Sequence, residues 1–274
     1  MRSRKFMAIA LAAVTMGTLA AFASCGNDKT TVTLSGSTSV QPLMEKLGAA
    51  FEEAHGDIEI VVNGGGSGVG VSDTQTDKND FGMASRELKD SETGIKAEKI
   101  ATDGIAIIVN TGCTLDNVTP DEVYGLYAEG TAIGTVNAAI SRESGSGTRG
   151  AFDELVKNSE GKTLDKAESF AKCVQTQNST GAVITQISTA GNTNLIGYIS
   201  LGSLSEKVKA LKYNGVEATV ANIESGAYKL SRPFLLLSKE GKTLSEAAQK
   251  FHDFIFSAEG QAIVEKDGYI KAVK

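Results

Sequence analysis

A pattern that recurs three times along the chain constrains its fold more than any other feature of the sequence. Each occurrence consists of a short apolar run, a turn rich in glycine and hydroxyl residues, and a segment whose apolar side chains have helical spacing. The turns are GSTSV at residues 36–40, GGGSGVG at residues 64–70 and SRESGSGTRG at residues 141–150. Strands that alternate with helices in this way indicate an α/β fold with mainly parallel sheets.

Two further apolar runs, at residues 99–110 and 228–238, are strong strand candidates that lie far apart in the sequence. We expect them to run side by side as the crossover between two lobes. Lobe 1 would then comprise residues 30–108 plus 230–274, and lobe 2 would comprise residues 109–229. No low-complexity linker marks a tandem boundary, which is consistent with a discontinuous domain.

The C-terminal part of the chain has a different pattern. Residues 244–270 have the apolar spacing of a long amphipathic helix, and we expect one helix there.

The N-terminal residues 1–24 have the features of a targeting signal. Three basic side chains precede an uncharged apolar stretch at residues 6–22, and small residues stand directly before Cys25. This arrangement resembles a bacterial lipobox, in which the cysteine is acylated and becomes the new N-terminus, although Phe22 stands where leucine is more usual. A secretory peptide cleaved nearby or an uncleaved anchor helix is the alternative. The lipobox predicts a tether at residues 25–29 and an extracytoplasmic protein anchored to the cell membrane by lipidated Cys25.

The net charge argues against one class of partner. Residues 1–24 contain three basic and no acidic side chains, so the rest of the chain carries 24 basic against 33 acidic residues. Binding to nucleic acid depends on a basic surface, so no nucleic-acid partner is expected. An anion bound by such an acidic chain must be held by local hydrogen-bond donors.

The three turns supply donors of that kind. The first turn of a helix has unpaired N–H groups and a positive partial charge, and glycine lets the backbone approach a ligand closely. Serine and threonine add neutral donors, and Arg142 adds a planar fork of donors that matches an oxyanion. A single turn of this type is usually only a turn with a helix cap. Three in one chain, one of them with an arginine, favour a site for a tetrahedral oxyanion.

Two other interpretations of the turns are weaker. Gly145, Gly147 and Gly150 match the dinucleotide fingerprint G-x-G-x-x-G, but the bare pattern is common and the acidic residue that it needs is not at the end of a strand. The chain has only two histidines, no G-x-S-x-G elbow and no cysteine spacing typical of a metal site. We therefore expect a binding protein without a cofactor or metal, and not an enzyme. Cys113 and Cys173 could be free or paired.

Seven segments occur in the order GSTSVQPL, NGGGSGVG, DFGMASREL, SRESGSGTRGAF, NSTGAVITQIS, IGYISLGSL and NIESGAYKLSRPF. Together they resemble the phosphate-binding lipoproteins of the bacterial high-affinity phosphate ABC transporter (PstS family), over residues 30–274. The resemblance implies a two-lobed periplasmic-binding-protein fold with a hinge of two crossover strands and the ligand in the cleft between the lobes. It also implies an extracytoplasmic solute-binding protein that captures inorganic phosphate and delivers it to the permease subunits of an ABC transporter.

The resemblance further implies which residues contact the phosphate. Carried over motif by motif, they are Thr38, Ser39, Ser67, Arg142, Ser146, Gly147 and Thr148. Arg142 would be the charge partner, and Gly147 would donate its backbone N–H.

One position departs from the pattern of many family members, which have an aspartate where this chain has Ser85. That carboxylate accepts the proton of phosphate, and sulfate offers no such proton at neutral pH, so the acceptor discriminates between the two anions. Here Ser85 could accept through a lone pair, or Glu143 could take the role. Arg86 could contact the ligand or lie at the edge of the cleft. Another tetrahedral oxyanion such as sulfate or molybdate, or a secreted phosphate-ester hydrolase on the same fold, is the alternative function.

Overall fold

The computed structural model describes residues 29–272. The predicted signal, Cys25 and all of the tether except its last residue lie outside this range. Within it, no helix combines the length and the apolar character that are needed to cross a membrane.

Strands and helices alternate along the described chain, as the repeated turns predict. The strands are β1 (Thr30–Gly36), β2 (Ile58–Gly64), β3 (Phe81–Ala84), β4 (Ile95–Asn110), β5 (Asn117–Val118), β6 (Ala138–Arg142), β7 (Val174–Gln177), β8 (Leu195–Ser200), β9 (Val208–Ala210), β10 (Lys212–Tyr213), β11 (Ser231–Lys239) and β12 (Ile270–Lys271). The α-helices are α1 (Gln41–Ala54), α2 (Ser67–Gln75), α3 (Pro120–Tyr124), α4 (Gly147–Leu155), α5 (Thr180–Ser188), α6 (Val220–Glu224), α7 (Glu246–Phe256) and α8 (Ala258–Lys266).

Lobe 1 is built on one half of the main sheet, in the strand order β2-β1-β3-β11-β4. β1 pairs in parallel with β2 and β3, whereas β11 runs antiparallel to β3 and β4. The sheet is therefore mixed and not mainly parallel as predicted, because the long strands β4 and β11 pair antiparallel with their neighbours. One cluster of buried side chains fills this lobe, and it joins Leu47 and Phe51 of α1 to Phe251 of α7 and Val264 of α8. Full burial of such a side chain contributes about 1.5–3 kcal/mol. Because α1 is the first helix of the described chain and α7 and α8 are the last, segments far apart in the sequence stabilise the same core.

Lobe 2 continues the sheet with the strands β8, β6 and β7. β6 pairs in parallel with β7 and β8, and Tyr127, Phe152 and Tyr198 pack together against it. The rings of Phe152 and Tyr198 stack with centroids 3.9 Å apart. Cys113 and Cys173, which also pack in this lobe, are free thiols.

The two long strand candidates lie side by side and connect the lobes, which confirms the predicted hinge. β4 pairs with β11 from Ile95 to Gly104 and with β8 from Ile105 to Val109, so one strand serves both lobes. The pairing partner of β4 changes between Gly104 and Ile105. The division of the lobes after residue 108 stays a prediction.

A buried ion pair joins the two hinge strands at the crossover. Arg232 Nε and Nη2 lie 3.1 and 3.0 Å from Asp103 Oδ2, and both side chains are almost fully buried. Asp103 Oδ1 accepts a hydrogen bond from Ser200 Oγ at 2.8 Å. Burial raises the pKa of Asp103 and lowers the pKa of Arg232, and the attraction between the two charges opposes both shifts.

The C-terminal segment differs from the single long helix that its apolar spacing predicts. The helix is interrupted at Ser257, where the backbone is extended with φ −69° and ψ 164°. Ser257 Oγ accepts a hydrogen bond from Gly260 N at 3.1 Å, so it caps the start of α8. Serine competes with the helix backbone in this way, and this local preference overrides the amphipathic spacing.

Candidate functional site

The three repeated turns meet where the two lobes face each other. Each turn leaves the carboxyl end of a parallel strand, namely β1, β2 or β6, and leads into the first turn of a helix. The turns after β2 and β6 contact each other directly, because Gly68 N donates to Gly145 O at 3.0 Å across the interface between the lobes. The sequence pattern therefore identifies segments that the fold brings together.

The turn after β1 contacts lobe 2 through its hydroxyl groups. Ser39 Oγ lies 2.8 Å from Thr148 Oγ1 and 3.1 Å from Thr180 Oγ1. Thr38 Oγ1 accepts hydrogen bonds from Arg142 Nη2 at 3.1 Å and from Thr180 N at 3.3 Å. These contacts join residues more than 100 positions apart in the sequence.

A second group of hydroxyls lies on the lobe 1 side. Ser37 Oγ donates to Ser85 Oγ at 2.8 Å, and Ser85 N donates to Ser67 Oγ at 3.1 Å. Gly147 of lobe 2 packs directly onto this group, since a Cβ there would lie 2.1 Å from Ser67 Oγ and 2.8 Å from Ser85 Oγ. Only glycine allows α4 to begin this close to lobe 1.

Arg142 is the cation that contacts the first of these two groups of hydroxyls, and its side chain is 1% exposed. Its guanidinium donates to Thr38 and, through Nη1 at 3.4 Å, to Thr180 Oγ1. Nε and Nη2 also donate to the two carboxylate oxygens of Glu143 at 3.0 and 2.9 Å. Behind the guanidinium, the carbonyl of Arg142 accepts from Arg149 Nη1 at 3.1 Å, which fixes the end of β6.

The arrangement suits an anion. Burial of the charged Arg142 guanidinium costs free energy unless the charge is paired. The carboxylate of Glu143 pairs with one side of the guanidinium. The other groups around it are hydroxyls and helix N-termini, which donate hydrogen bonds without adding charge. Within residues 29–272, no cluster of three or more histidine, cysteine, aspartate or glutamate side chains could hold a metal ion.

Two of the predicted site residues have other partners. Ser146 Oγ caps α4 by accepting a hydrogen bond from Arg149 N at 3.3 Å. The Arg86 guanidinium pairs with both carboxylate oxygens of Glu92 at 2.7 Å each, and no hydrogen bond joins it to the hydroxyls described above. Arg86 instead lines a cavity of about 400 Å³ beside α4.

Asp153 also lines this cavity, and its surroundings are unusual for a carboxylate. Its Oδ2 accepts a hydrogen bond from Arg149 Nε at 3.2 Å, while its buried Oδ1 has no hydrogen-bond partner among the described residues. Burial raises the pKa of Asp153 to about 7, although the charge of Arg149 acts in the opposite direction.

Sequence reasoning did not single out Ser37 and Thr180, which the structure places among these hydroxyls. Thr180 is the first residue of α5, directly after the strand β7 and the capping residue Ser179. The segment is thus a fourth case of strand, hydroxyl turn and helix, but it lacks the glycines before the helix that mark the other three. Searching for hydroxyl turns alone would have found it.

Comparison with protein families gives one match over most of the chain. The family model of the PBP superfamily domain matches residues 23–259. A phosphate-binding protein PstS 2 of Streptococcus agalactiae is 50% identical over 141 residues, which are 50% of this chain and 46% of that protein. The match thus spans about half the length of that relative. A phosphate-binding protein PstS of Staphylococcus epidermidis is 31% identical over 267 residues, which cover 87% of this chain and 78% of that protein.

Solved structures resemble this fold over a similar extent. A phosphate ABC transporter substrate-binding protein of Clostridium perfringens, solved with bound phosphate, is 38% identical with a TM-score of 0.81. The similarity covers 88% of this chain and 99% of that one. An ABC-type phosphate transport receptor of Vibrio cholerae is 30% identical with a TM-score of 0.69, over 88% of this chain and 100% of that one.

Proposed function

We propose that this chain, which belongs to the PBP superfamily and within it to the PstS phosphate-binding proteins, binds inorganic phosphate outside the cytoplasm and delivers it to an ABC permease. It acts as a binding protein and not as an enzyme. The observation that carries the proposal is the meeting of hydroxyls from both lobes at the buried Arg142 guanidinium.

Phosphate fits this site because its four oxygens accept many hydrogen bonds and its charge complements the guanidinium. Hydroxyls of Thr38, Ser39 and Ser67 reach it from lobe 1, and Thr148 and the N–H of Gly147 reach it from lobe 2. Since most of these donors are neutral, the site binds an anion despite the acidic character of the whole chain.

Binding also drives closure in this proposal. A ligand that contacts both lobes binds the closed arrangement better than the open one, and so shifts the population toward closure about the hinge strands β4 and β11. The closed form is the one that the permease recognises. Lipidated Cys25 holds the protein at the outer face of the membrane, close to that permease.

The proton of phosphate requires an acceptor, and we propose Ser85 for this role. Ser85 Oγ accepts one hydrogen bond from Ser37 Oγ at 2.8 Å and also lies 3.4 Å from Ser67 Oγ. If the Ser85 hydroxyl is the donor in this longer contact, its second lone pair is available to accept the proton of phosphate. Both oxygens of Glu143 are already engaged by Arg142. Glu143→Gln keeps one acceptor for Arg142 and removes the carboxylate, so we expect the ratio of phosphate to sulfate affinity to stay within about threefold. A loss confined to phosphate would make Glu143 the acceptor.

Isothermal titration calorimetry of the mature protein with phosphate, sulfate and molybdate tests the function. We expect a phosphate Kd in the micromolar range or tighter, about −8 kcal/mol or below, with weaker binding of the other anions. Arg142→Ala should weaken phosphate binding at least tenfold, because a hydrogen bond to a charged group contributes about 1.5–3 kcal/mol.

Arg86→Ala is the matched control, because it also removes a buried arginine that is paired with a carboxylate, and we expect it to leave the affinity unchanged. An equal loss in this variant would show that Arg142 has no special role. A protein without measurable phosphate affinity would refute the function. Tighter binding of sulfate, or phosphatase activity with or without added metal, would favour one of the alternative functions.

A further inference from the structure

We propose that Arg232 is a positioning residue for phosphate binding, which holds Ser85 in place from the hinge and links it through Asp103 to lobe 2. This inference rests on the proposed phosphate function and adds a connection between the hinge and the site. Arg232 stands outside the three repeated turns and outside the residues that the family resemblance assigns to the ligand.

The guanidinium of Arg232 has two sets of partners. Nε and Nη2 donate to Asp103 Oδ2 on the neighbouring hinge strand, and Nη1 donates to the carbonyl oxygen of Ser85 at 3.2 Å. A planar fork makes such a bridge with fixed geometry, which a lysine ammonium does not. Arg232 thus ties the segment that follows β3 to the hinge.

Ser85 is held on both sides by this arrangement. Its carbonyl accepts from Arg232, while its N–H donates to Ser67 Oγ and its hydroxyl accepts from Ser37 Oγ. All four of these residues are buried, so no solvent is available to replace the Arg232 bond if it is lost. A change in the position of Arg232 is therefore transmitted to the groups that we propose to contact phosphate.

The other end of the connection reaches lobe 2. Asp103 Oδ1 accepts from the hydroxyl of Ser200, the last residue of β8, at 2.8 Å. Asp103 lies just before the point where β4 changes its pairing partner from β11 to β8. Ser200 also pairs through its backbone with Ile105, two residues beyond Asp103, so the chain Ser200–Asp103–Arg232–Ser85 connects the first lobe 2 pairing of β4 to the site.

The ion pair lies close enough to Arg142 for their charges to interact. The charge of Arg142 is one of the causes, after burial, that lower the pKa of Arg232, so the two guanidiniums lie within electrostatic reach of each other. Asp103 balances the charge of Arg232, so the pair holds a donor at the Ser85 carbonyl without adding net charge beside the mainly neutral hydroxyls.

Stability alone does not account for such a pair. Replacing a buried ion pair by apolar residues of similar size is often neutral or stabilising, because both charges must lose their hydration on folding. The double variant Asp103→Leu/Arg232→Met therefore separates stability from positioning. It removes the donor to Ser85 and the acceptor of Ser200, and it leaves no unpaired charge.

The experiment compares this double variant with Arg232→Lys and with the wild-type protein. Phosphate affinity is measured by calorimetry, the melting temperature by a thermal scan, and the mobility of residues 81–88 by hydrogen exchange. We expect a loss of phosphate affinity of about tenfold or more in the double variant and about threefold or more in Arg232→Lys. Exchange at residues 81–88 should be faster in both. The melting temperature of the double variant should fall no further than that of the control Asn110→Ala, which also removes hydrogen bonds from buried or partly buried polar groups.

Asn110→Ala is the matched control, because Asn110 is a buried polar residue of β4 that bonds the carbonyls of Ile187 and Thr189, away from Ser85. We expect it to lower the melting temperature without lowering phosphate affinity. A loss of affinity in Asn110→Ala equal to that in the double variant would overturn the proposal, because general loosening would then explain both.

Wild-type affinity in a double variant that folds normally would also overturn it, and the phosphate function would stand. If the double variant does not fold, Arg232→Lys decides, and an unchanged affinity there overturns the proposal. A wild-type protein that binds no phosphate refutes the function itself, and this inference with it.

Discussion

Gly147→Ala tests the closed arrangement of the lobes with a single methyl group. Gly147 is the first residue of α4 in lobe 2, and a Cβ at this position would lie 2.1 Å from Ser67 Oγ and 2.9 Å from Ser67 Cβ in lobe 1. Non-bonded heavy atoms prefer separations of about 3.5 Å or more, so the two elements must move apart by about 1 Å. A change of rotamer cannot relieve the clash, because the added Cβ of residue 147 is fixed to the backbone and also lies too close to the Cβ of the buried Ser67.

The cost follows from the hydrogen bonds that cross the interface. The bond between Ser39 Oγ and Thr148 Oγ1 is 2.8 Å long, and that between Gly68 N and Gly145 O is 3.0 Å long. An added separation of about 1 Å takes both beyond hydrogen-bonding distance. At about 0.5–1.5 kcal/mol each, their loss destabilises the closed state by about 1–3 kcal/mol, which is about a 5- to 150-fold loss of phosphate affinity.

Stability should change in the opposite direction, and this separates the effect from misfolding. Alanine is a better helix former than glycine by up to about 1 kcal/mol, so the unliganded variant should melt at the wild-type temperature or slightly above it. Gly181→Ala, in the first turn of α5, is the matched control, because no atom lies within 4 Å of its added Cβ. It should gain the same stability and keep its affinity. Calorimetry with phosphate and a thermal scan measure both quantities, and wild-type affinity in Gly147→Ala would refute the closed geometry.

Three other substitutions test separate parts of the molecule. Thr180→Val removes the hydroxyl that accepts from Arg142, and we expect calorimetry to show a phosphate affinity about three- to tenfold weaker; an unchanged value would exclude Thr180 from the site. Burial raises the pKa of Asp153 to about 7, so the folded protein holds a proton that the unfolded chain releases, and this contribution to stability is lost as the pH rises toward 7. Asp153→Asn should therefore reduce the loss of unfolding free energy between pH 5 and pH 8 by about 2–3 kcal/mol in urea titrations, and an identical pH dependence would contradict this. Cys25→Ser should abolish the incorporation of labelled fatty acid into the protein, whereas labelling that persists in this variant would rule out a lipid anchor at that residue.

The fold was largely predictable because its main signals are local. The strand, turn and helix pattern identifies the units that start at β1, β2 and β6, and apolar runs identify the hinge strands. The interruption at Ser257 was not predicted, since apolar spacing continues through it and only the capping hydrogen bond reveals it. β4 also begins earlier than its apolar run, because Lys96 and Ala97 are exposed while their backbone pairs with β11.

Much of the candidate site was predictable for the same reason, although contact with phosphate stays a prediction for every residue. The structure brings Thr38, Ser39, Ser67, Ser85 and Thr148 together near Arg142, as the turn pattern and the family resemblance imply. The partners of Arg86 and Arg232 were not predictable, since they depend on which carboxylate the folded chain places beside each guanidinium. Sequence spacing carries no signal for the contact between Arg232 and Ser85, which are 147 residues apart.

The lobe 1 core joins segments that are far apart in the sequence, and this determines the order in which the parts of the protein can fold when the chain appears with its N-terminus first. The rings of Phe51 and Phe251 have centroids 5.2 Å apart although they are 200 positions apart in the sequence, and β3 needs β11 as its neighbour. Contacts of such long range form late, because the intervening chain must first be closed into a loop. Lobe 2, which lies between these segments, has its strands and helices available earlier. Lobe 1 contains the first strands of the chain but is the last lobe to be completed. Before β11 has joined the sheet, no hinge can bring the hydroxyl turns after β1 and β2 to Arg142.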